Sequence, residues 1–412
     1  MMTTGARQRR RSGPFSSRTR SLFPLVLVLP VTLLFSMVWQ SVGEQIDFAN
    51  LERDGVRYIQ QLGPLEIALT NTQSAVVSGR PLPRQELIRA VDNVAAVDRE
   101  LGGRLHTEDR WTGLRTKIES LPGSGAGATV MDAYAGAHDL LLALMDKVRN
   151  NSKLIRDPDA DSYYLGDGAT QELPEGIIAA ANYTDLLVSA AGLSGADRAD
   201  ALVDINSARS DLVGNARDLS EDVRLAVEGA TGSRSLGSAL LSKLDRLNRS
   251  IDNLVPLMQP VLAGKGRIDV AQVARARDEM QAAAADFSAA LLVQIDIALE
   301  DRLSSLGQRR LLAIGTLALA VLLAFVPLVL SLVARRGNGK SKSQSDRPSA
   351  PRAPAHQAPE RPAPERPATE RQTAAPPRQR PAEPVPAQWP PSRQPDRSDP
   401  EFARWERFGA PQ

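Results

Sequence analysis

The chain has 412 residues, with 50 Lys/Arg against 48 Asp/Glu and no cysteine. Without thiols, disulfides, thiolate metal sites and cysteine nucleophiles are excluded. The net charge of +2 conceals a segregation. Residues 1–20 hold six Arg and no acid, and 335–412 hold fifteen Lys/Arg against nine Asp/Glu, while 21–334 hold 29 Lys/Arg against 39 Asp/Glu. Basic ends that adjoin apolar stretches suit an anionic inner leaflet better than nucleic acid.

In chain order, the basic N-terminus 1–20 leads into an apolar stretch, 21–42, which is uncharged until Glu44. About 20 such residues cross a bilayer, and the absence of an A-x-A site after Ser36-Met37-Val38-Trp39 favours an uncleaved anchor over a signal peptide. A second stretch, 311–334, is bracketed by Arg309-Arg310 and Arg335-Arg336. Small residues at Thr316, Ala320 and Ala324 recur every fourth position in it, a spacing that favours helix association. The positive-inside rule then places both termini in the cytoplasm and 43–308 outside it, in a two-pass cell-membrane protein.

From Phe48 the positions Phe48, Leu51, Gly55, Tyr58, Leu62, Leu65, Leu69, Thr72 and Val76 alternate steps of three and four. That is the coiled-coil-like seam of a helix buried along one stripe. It predicts one rod continuous with the first span and ended by Gly79-Arg80-Pro81. Helical stretches follow near 84–106, 108–120, 126–156, 158–192 and 195–230. A second seam runs through Leu236, Leu240, Leu244, Leu247, Ile251, Leu254 and Met258. A last helix from about Asp269 buries Val273, Met280, Phe287, Leu291, Ile295 and Leu299 and runs straight into the second span. No alternating pattern marks a strand. The expected fold is all-α: an elongated antiparallel helical bundle between two transmembrane helices. Its length suits two modules stacked along the membrane normal.

The segment Asn150–Leu165 departs from the Ala/Leu texture around it. Asp157 suits a helix cap, Pro158 the first helical position, and Asp159 and Asp161 the positive end of the helix dipole. The paired Tyr163 and Tyr164 admit two readings, packing under a structural cap or the lining of a small-molecule pocket. An EF-hand calcium loop fits poorly, because Ser162 stands where the turn glycine belongs and Gly168 where the bidentate Glu belongs.

Asp157-Pro158-Asp159-Ala160-Asp161-Ser162-Tyr163-Tyr164-Leu165, together with Glu52-Arg53-Asp54-Gly55-Val56-Arg57-Tyr58, resembles the periplasmic sensor regions of bacterial chemoreceptors and membrane-bound signalling proteins, of the helical bimodular type. The resemblance covers about 43–308. It implies a homodimer of long helices that binds a small metabolite between them and shifts a membrane helix. The candidate ligand-binding residues are Arg57, Tyr58, Asp157, Asp161, Tyr163 and Tyr164, with core packing as the other role open to Tyr58.

The chain departs from that family after the second span, where no kinase, cyclase or methyl-accepting helix follows. Residues 335–412 instead hold 17 of the 29 prolines and are expected to be a disordered cytoplasmic tail. Trp389, Phe402, Trp405 and Phe408 are candidate partner contacts there, the last three spaced to share one face of a short helix. No phosphate-binding loop, His-based metal spacing or nucleophile motif occurs, so no enzyme, cofactor or metal is expected. The leading expectation is an extracytoplasmic sensor without its own output domain, relaying a signal in trans to a cytoplasmic or membrane partner. The alternative is a structural or scaffolding envelope protein that recruits partners through its tail.

Overall fold

The seam that starts at Phe48 lies on α1 (Ser17–Val77), a helix of 61 residues. The computed structural model describes residues 17–125, 128–156, 159–229, 234–262 and 268–337, all within the first of two units, Met1–Lys342. Asp157, the N-terminal 16 residues and the tail with Trp389, Phe402, Trp405 and Phe408 lie outside the described residues.

After α1 come α2 (Arg84–Leu105), α3 (Glu108–Glu119), α4 (Ala128–Asn151), α5 (Ala160–Asp167), a π turn (Gly168–Glu172) and α6 (Leu173–Ala190). Then follow α7 (Gly195–Gly229), α8 (Arg234–Leu254), a 3-10 turn (Val255–Met258), α9 (Gln259–Leu262) and α10 (Val270–Gly337). No strand occurs among the described residues. The fold is all-α.

The expected stripes are buried. On α1, Tyr58, Leu62, Leu65 and Leu69 have no exposed surface, and on α10 Phe287, Leu291 and Leu299 are equally enclosed. Leu240, Leu247, Leu254 and Met258 do the same along α8 and its 3-10 extension. α1 packs against α2, α4, α6 and α10, so it is surrounded rather than merely covered on one side.

α1 and α10 run antiparallel, as three contacts show. Arg310 stacks 4.2 Å over the Trp39 ring, Arg53 Nε donates to Asp296 Oδ1 at 2.7 Å, and Gln281 Nε2 donates to Thr70 Oγ1 at 3.1 Å. Among the described residues, one helix is long and apolar enough to cross a membrane, α10 over Val270–Val326, with a window of mean hydropathy 2.0 that is 6% buried. At the opposite end of the chain, Leu29, Leu33, Leu34 and Met37 of α1 are also exposed.

Two local expectations are corrected, and the start of α5 is located. The helix anticipated over 126–156 stops at Asn151, where Lys153 takes a left-handed φ of 71° before the 3-10 turn Leu154–Arg156. α1 passes this turn closely at Gly55, where a side chain would collide with Ser152 Oγ and Cβ. Second, the helix expected over 158–192 is interrupted by the π turn. Pro174 has no N–H to return to Thr170, and the Leu173 N–H reaches back to Gly168 O instead. The N-cap position of α5 is Asp159, with φ −92° and no capping side-chain bond. Its carboxylate accepts from Arg302 Nη2 at 2.7 Å.

Gly55 gives a direct test of this packing. Gly55→Ala should destabilise the chain by about 1–3 kcal/mol through overpacking, and adding Ser152→Gly should restore most of the loss. Thermal melts of the two variants and the parent check both arms.

Candidate functional site

Away from its seam, α1 carries a second buried stripe that is polar. Glu66, Thr70, Gln73 and Ser74 are all buried. Gln73 Nε2 donates to Asn182 Oδ1 at 3.0 Å and to Asp185 Oδ2 at 2.9 Å on α6. Its carbonyl faces His138 Nε2 of α4 at 2.9 Å. Because an amide oxygen only accepts, His138 Nε2 carries the proton in this contact. Burial holds this imidazole down at about 4, hence neutral at pH 7. Burial also raises the Asp185 carboxyl to about 6, against the nearby Ser74 hydroxyl, the hydrogen bond from Gln73 and the charges of Arg277 and Arg80.

At the far end of this stripe α1 closes with a 6→1 bond, Arg80 N–H to Ala75 O at 2.8 Å, around Gly79 at φ +64°. That closure needs the left-handed residue and sets Arg80 beside the bundle of helix ends. Opposite, Asp269 caps α10 by accepting from the N–H groups of Ala271 and Gln272 at 3.0 and 3.1 Å. Arg277, two turns further on, is 6% exposed. Its Nη2 reaches Asp278 at 2.9 Å, while its Nε has no partner among the described residues.

Arg80 and Arg277 stand between two clefts. One, of about 530 Å³, is lined by Asn71, Glu86, Asp278 and Gln281 besides the two arginines. The other, of about 320 Å³, adds Ser74, Ser78, Thr184 and Asp185. Two guanidinium groups, three hydroxyls and the amides of Asn71 and Gln281 line these clefts together with the carboxylates of Glu86, Asp278 and Asp185. The Ser78 and Thr184 hydroxyls already donate to backbone carbonyls, so the guanidinium groups and amides are the main donors left for a small anion.

The residues singled out from sequence lie at the other end of the buried stripe. Arg57 is exposed and bonds Glu100 Oε1 at 2.8 Å. Tyr58 is buried, and its hydroxyl donates to Asp98 Oδ1 at 2.8 Å. The same oxygen accepts from Thr107 at 2.7 Å, so Tyr58 ties α1 to the end of α2. Tyr163 and Tyr164 meet edge to face with centroids 5.2 Å apart. The side chain of Asp161 lies outside the described residues. The two motifs themselves do come together: Arg302 of α10 joins Glu52 Oε2 at 2.9 Å to Asp159 Oδ2 at 2.7 Å.

The π turn forms a third polar group. Asp167, Glu172 and Asp222 offer carboxylate oxygens within 4.8 Å of one another. Among the described residues, this is the set that could hold a metal ion, although Arg149 already donates to Asp167 Oδ1 at 2.6 Å. Burial first, then the charge of Asp167, raises Glu172 to about 7, and the same two causes raise Asp222 to about 6.

In comparison with known proteins, no protein-family model, curated protein or solved structure matches the chain.

The acidic group makes stability pH-dependent. Folded-state values above the ordinary ones mean the folded chain holds these protons more tightly than the unfolded chain. The favourable contribution of Glu172 is then complete below about 4.5 and lost as pH rises through about 7. Tm should fall from pH 5 to pH 8, and Glu172→Gln should raise it at pH 8 by about 2–4 °C while flattening the profile. Melts at both pH values read this.

Proposed function

We propose that this chain is a membrane-anchored extracytoplasmic receptor that binds a small anionic ligand in the Arg80–Arg277 clefts. It relays occupancy through α1 and α10 to a partner in trans. The observation that carries the reading is the continuity of these two helices. α1 runs unbroken from its apolar beginning to Ser74 at the cleft, and α10 runs unbroken from Arg277 to its apolar end. A ligand bridging Arg80 and Arg277 touches the end of one rod and the start of the other. Any change in their relative position there is carried along both.

In this proposal both apolar stretches, 21–42 and 311–334, cross the membrane, with the basic termini in the cytoplasm. The helical domain is an antiparallel bundle, and a homodimer is the working unit. The Pro-rich tail, through Trp389, Phe402, Trp405 and Phe408, supplies the contact to an output protein. Support for a receptor comes from the unpartnered Arg277 Nε and from the resemblance of the Glu52–Tyr58 and Asp157–Leu165 motifs to sensor regions. The site lies away from both motifs, with Arg80 just past the end of α1 and Arg277 two turns into α10.

Thermal shift of the purified full-length chain tests it, with small carboxylates and inorganic phosphate as probes. At least one anion should raise Tm saturably, by an amount set by RT ln(1 + [L]/Kd), and Arg277→Met should abolish the rise. A panel in which no anion shifts Tm, or in which Arg277→Met responds like the parent, removes the support for this site.

A further inference from the structure

Between α1, α6 and α10 lies a third cavity, of about 250 Å³, whose walls are mainly apolar: Ile59, Met145, Leu173, Ile177 and Leu292 among them. Glu66 is the one ionisable side chain in its lining. It is 1% exposed, and its Oε1 has no hydrogen-bond partner among the described residues. Burial alone, with no opposing bond or charge, drives its carboxyl well above the usual range.

A lone carboxyl in an apolar wall is costly to keep unless something pairs with it. Leucine or methionine would fill the same place on α1 without that cost. Two side-chain donors line the cavity, the Gln60 amide and the Ser288 hydroxyl, and neither is bonded to Glu66 Oε1. Pro64 and Pro174 both line the cavity, and neither has an N–H to offer. Pro64 also supplies no donor to the carbonyl of Gln60, another lining residue. Beyond Glu66, Gln60 and Ser288 the side chains of the wall are apolar, and the cavity opens to the outside between the exposed Pro64, Ala289 and Val293.

We infer that this cavity is a binding site for a small organic amine, its ammonium paired with Glu66 and its hydrocarbon body against Leu173, Ile177 and Leu292. The complementarity is one of charge and of surface. The ammonium supplies the donors and the positive charge that the carboxylate lacks, and the hydrocarbon part gains by leaving water. At about 30 Å³ for each water-sized group, the cavity accepts roughly eight non-hydrogen atoms. A phenyl ring or a short chain ending in a primary amine is of that size. The cavity borders the larger anion cleft at Ile67 and Ala285, but its charged group and its ligand charge differ, and the Glu66 and Arg277 variants test the two sites separately.

The probe is 2-phenylethylamine, titrated calorimetrically into the full-length chain in lipid nanodiscs, with empty nanodiscs subtracted and 2-phenylethanol as the neutral control. The parent should bind the amine saturably, with the alcohol at least tenfold weaker. Glu66→Gln should lose amine binding at least tenfold while melting no lower than the parent, because it removes a poorly accommodated acid. Ala289→Trp, which leaves Glu66 untouched and obstructs the mouth, should also weaken the amine. The inference is overturned if the parent shows no saturable binding, if the alcohol binds as well as the amine, or if Glu66→Gln binds as the parent does. A Glu66→Gln chain that melts lower is replaced by the Ala289→Trp comparison, in which undiminished amine binding likewise overturns it.

Discussion

Everything in this fold depends on α1 being enclosed. A helix covered on one side can turn its polar residues to water, but α1 has α2, α4, α6 and α10 around it. Where they face inward, its polar side chains must therefore be met inside the protein, and all but a few are, Glu66 Oε1 being an exception. Gln73 solves this with Asn182, Asp185 and His138 on two other helices, and Tyr58 with Asp98. Each such bond fixes the rotation of one helix against another, because a misplaced partner leaves a buried polar group unmet. The apolar seam supplies most of the driving force for association, while the polar stripe beside it specifies which helix lies where.

The same constraint explains where space is left. Cavities lie where the enclosed helix cannot be packed smoothly: beside Pro64 and Pro174, and around the ends of α1 and α10. A π turn widens the helix by one residue, and here it carries Glu172 toward Asp222 of α7. Gly168 lets α7 come close, since a side chain there would meet Leu219 Cδ1 at 3.0 Å. Backbone irregularities and unusual polar groups thus coincide, as expected when a local departure from ideal packing is held by surrounding contacts.

The helices were legible in the sequence because apolar residues repeat at steps of three and four over several turns, and because Gly79 and the prolines after it mark a clear stop. The polar stripe was not. Glu66 and Gln73 are one heptad apart and lie one position beyond the seam residues Leu65 and Thr72, where an amphipathic reading assigns them to solvent. Only the number of neighbours around α1 turns that position inward, and a single helix's pattern does not encode it. Arg80 and Arg277 are too distant in sequence to suggest a pair. The π turn had a local sign, Pro174 within a helical pattern, which the periodicity alone passes over. Asp157, the cap expected from residue type, lies outside the described residues, and the N-cap position of α5 is Asp159, whose side chain pairs with Arg302.

The ion pairs that hold α1 to α10 also set the mechanics of the pair. Arg53 binds Asp296 and Glu300, and Arg302 binds Glu52 at 2.9 Å, so charges on both helices interlock within two turns. Sliding either helix by a residue, about 1.5 Å, would strain all these contacts together. Arg310 over Trp39 on one side of this latch and Gln281 bonded to Thr70 on the other extend the grip in both directions, so the two helices are keyed in register along their shared length.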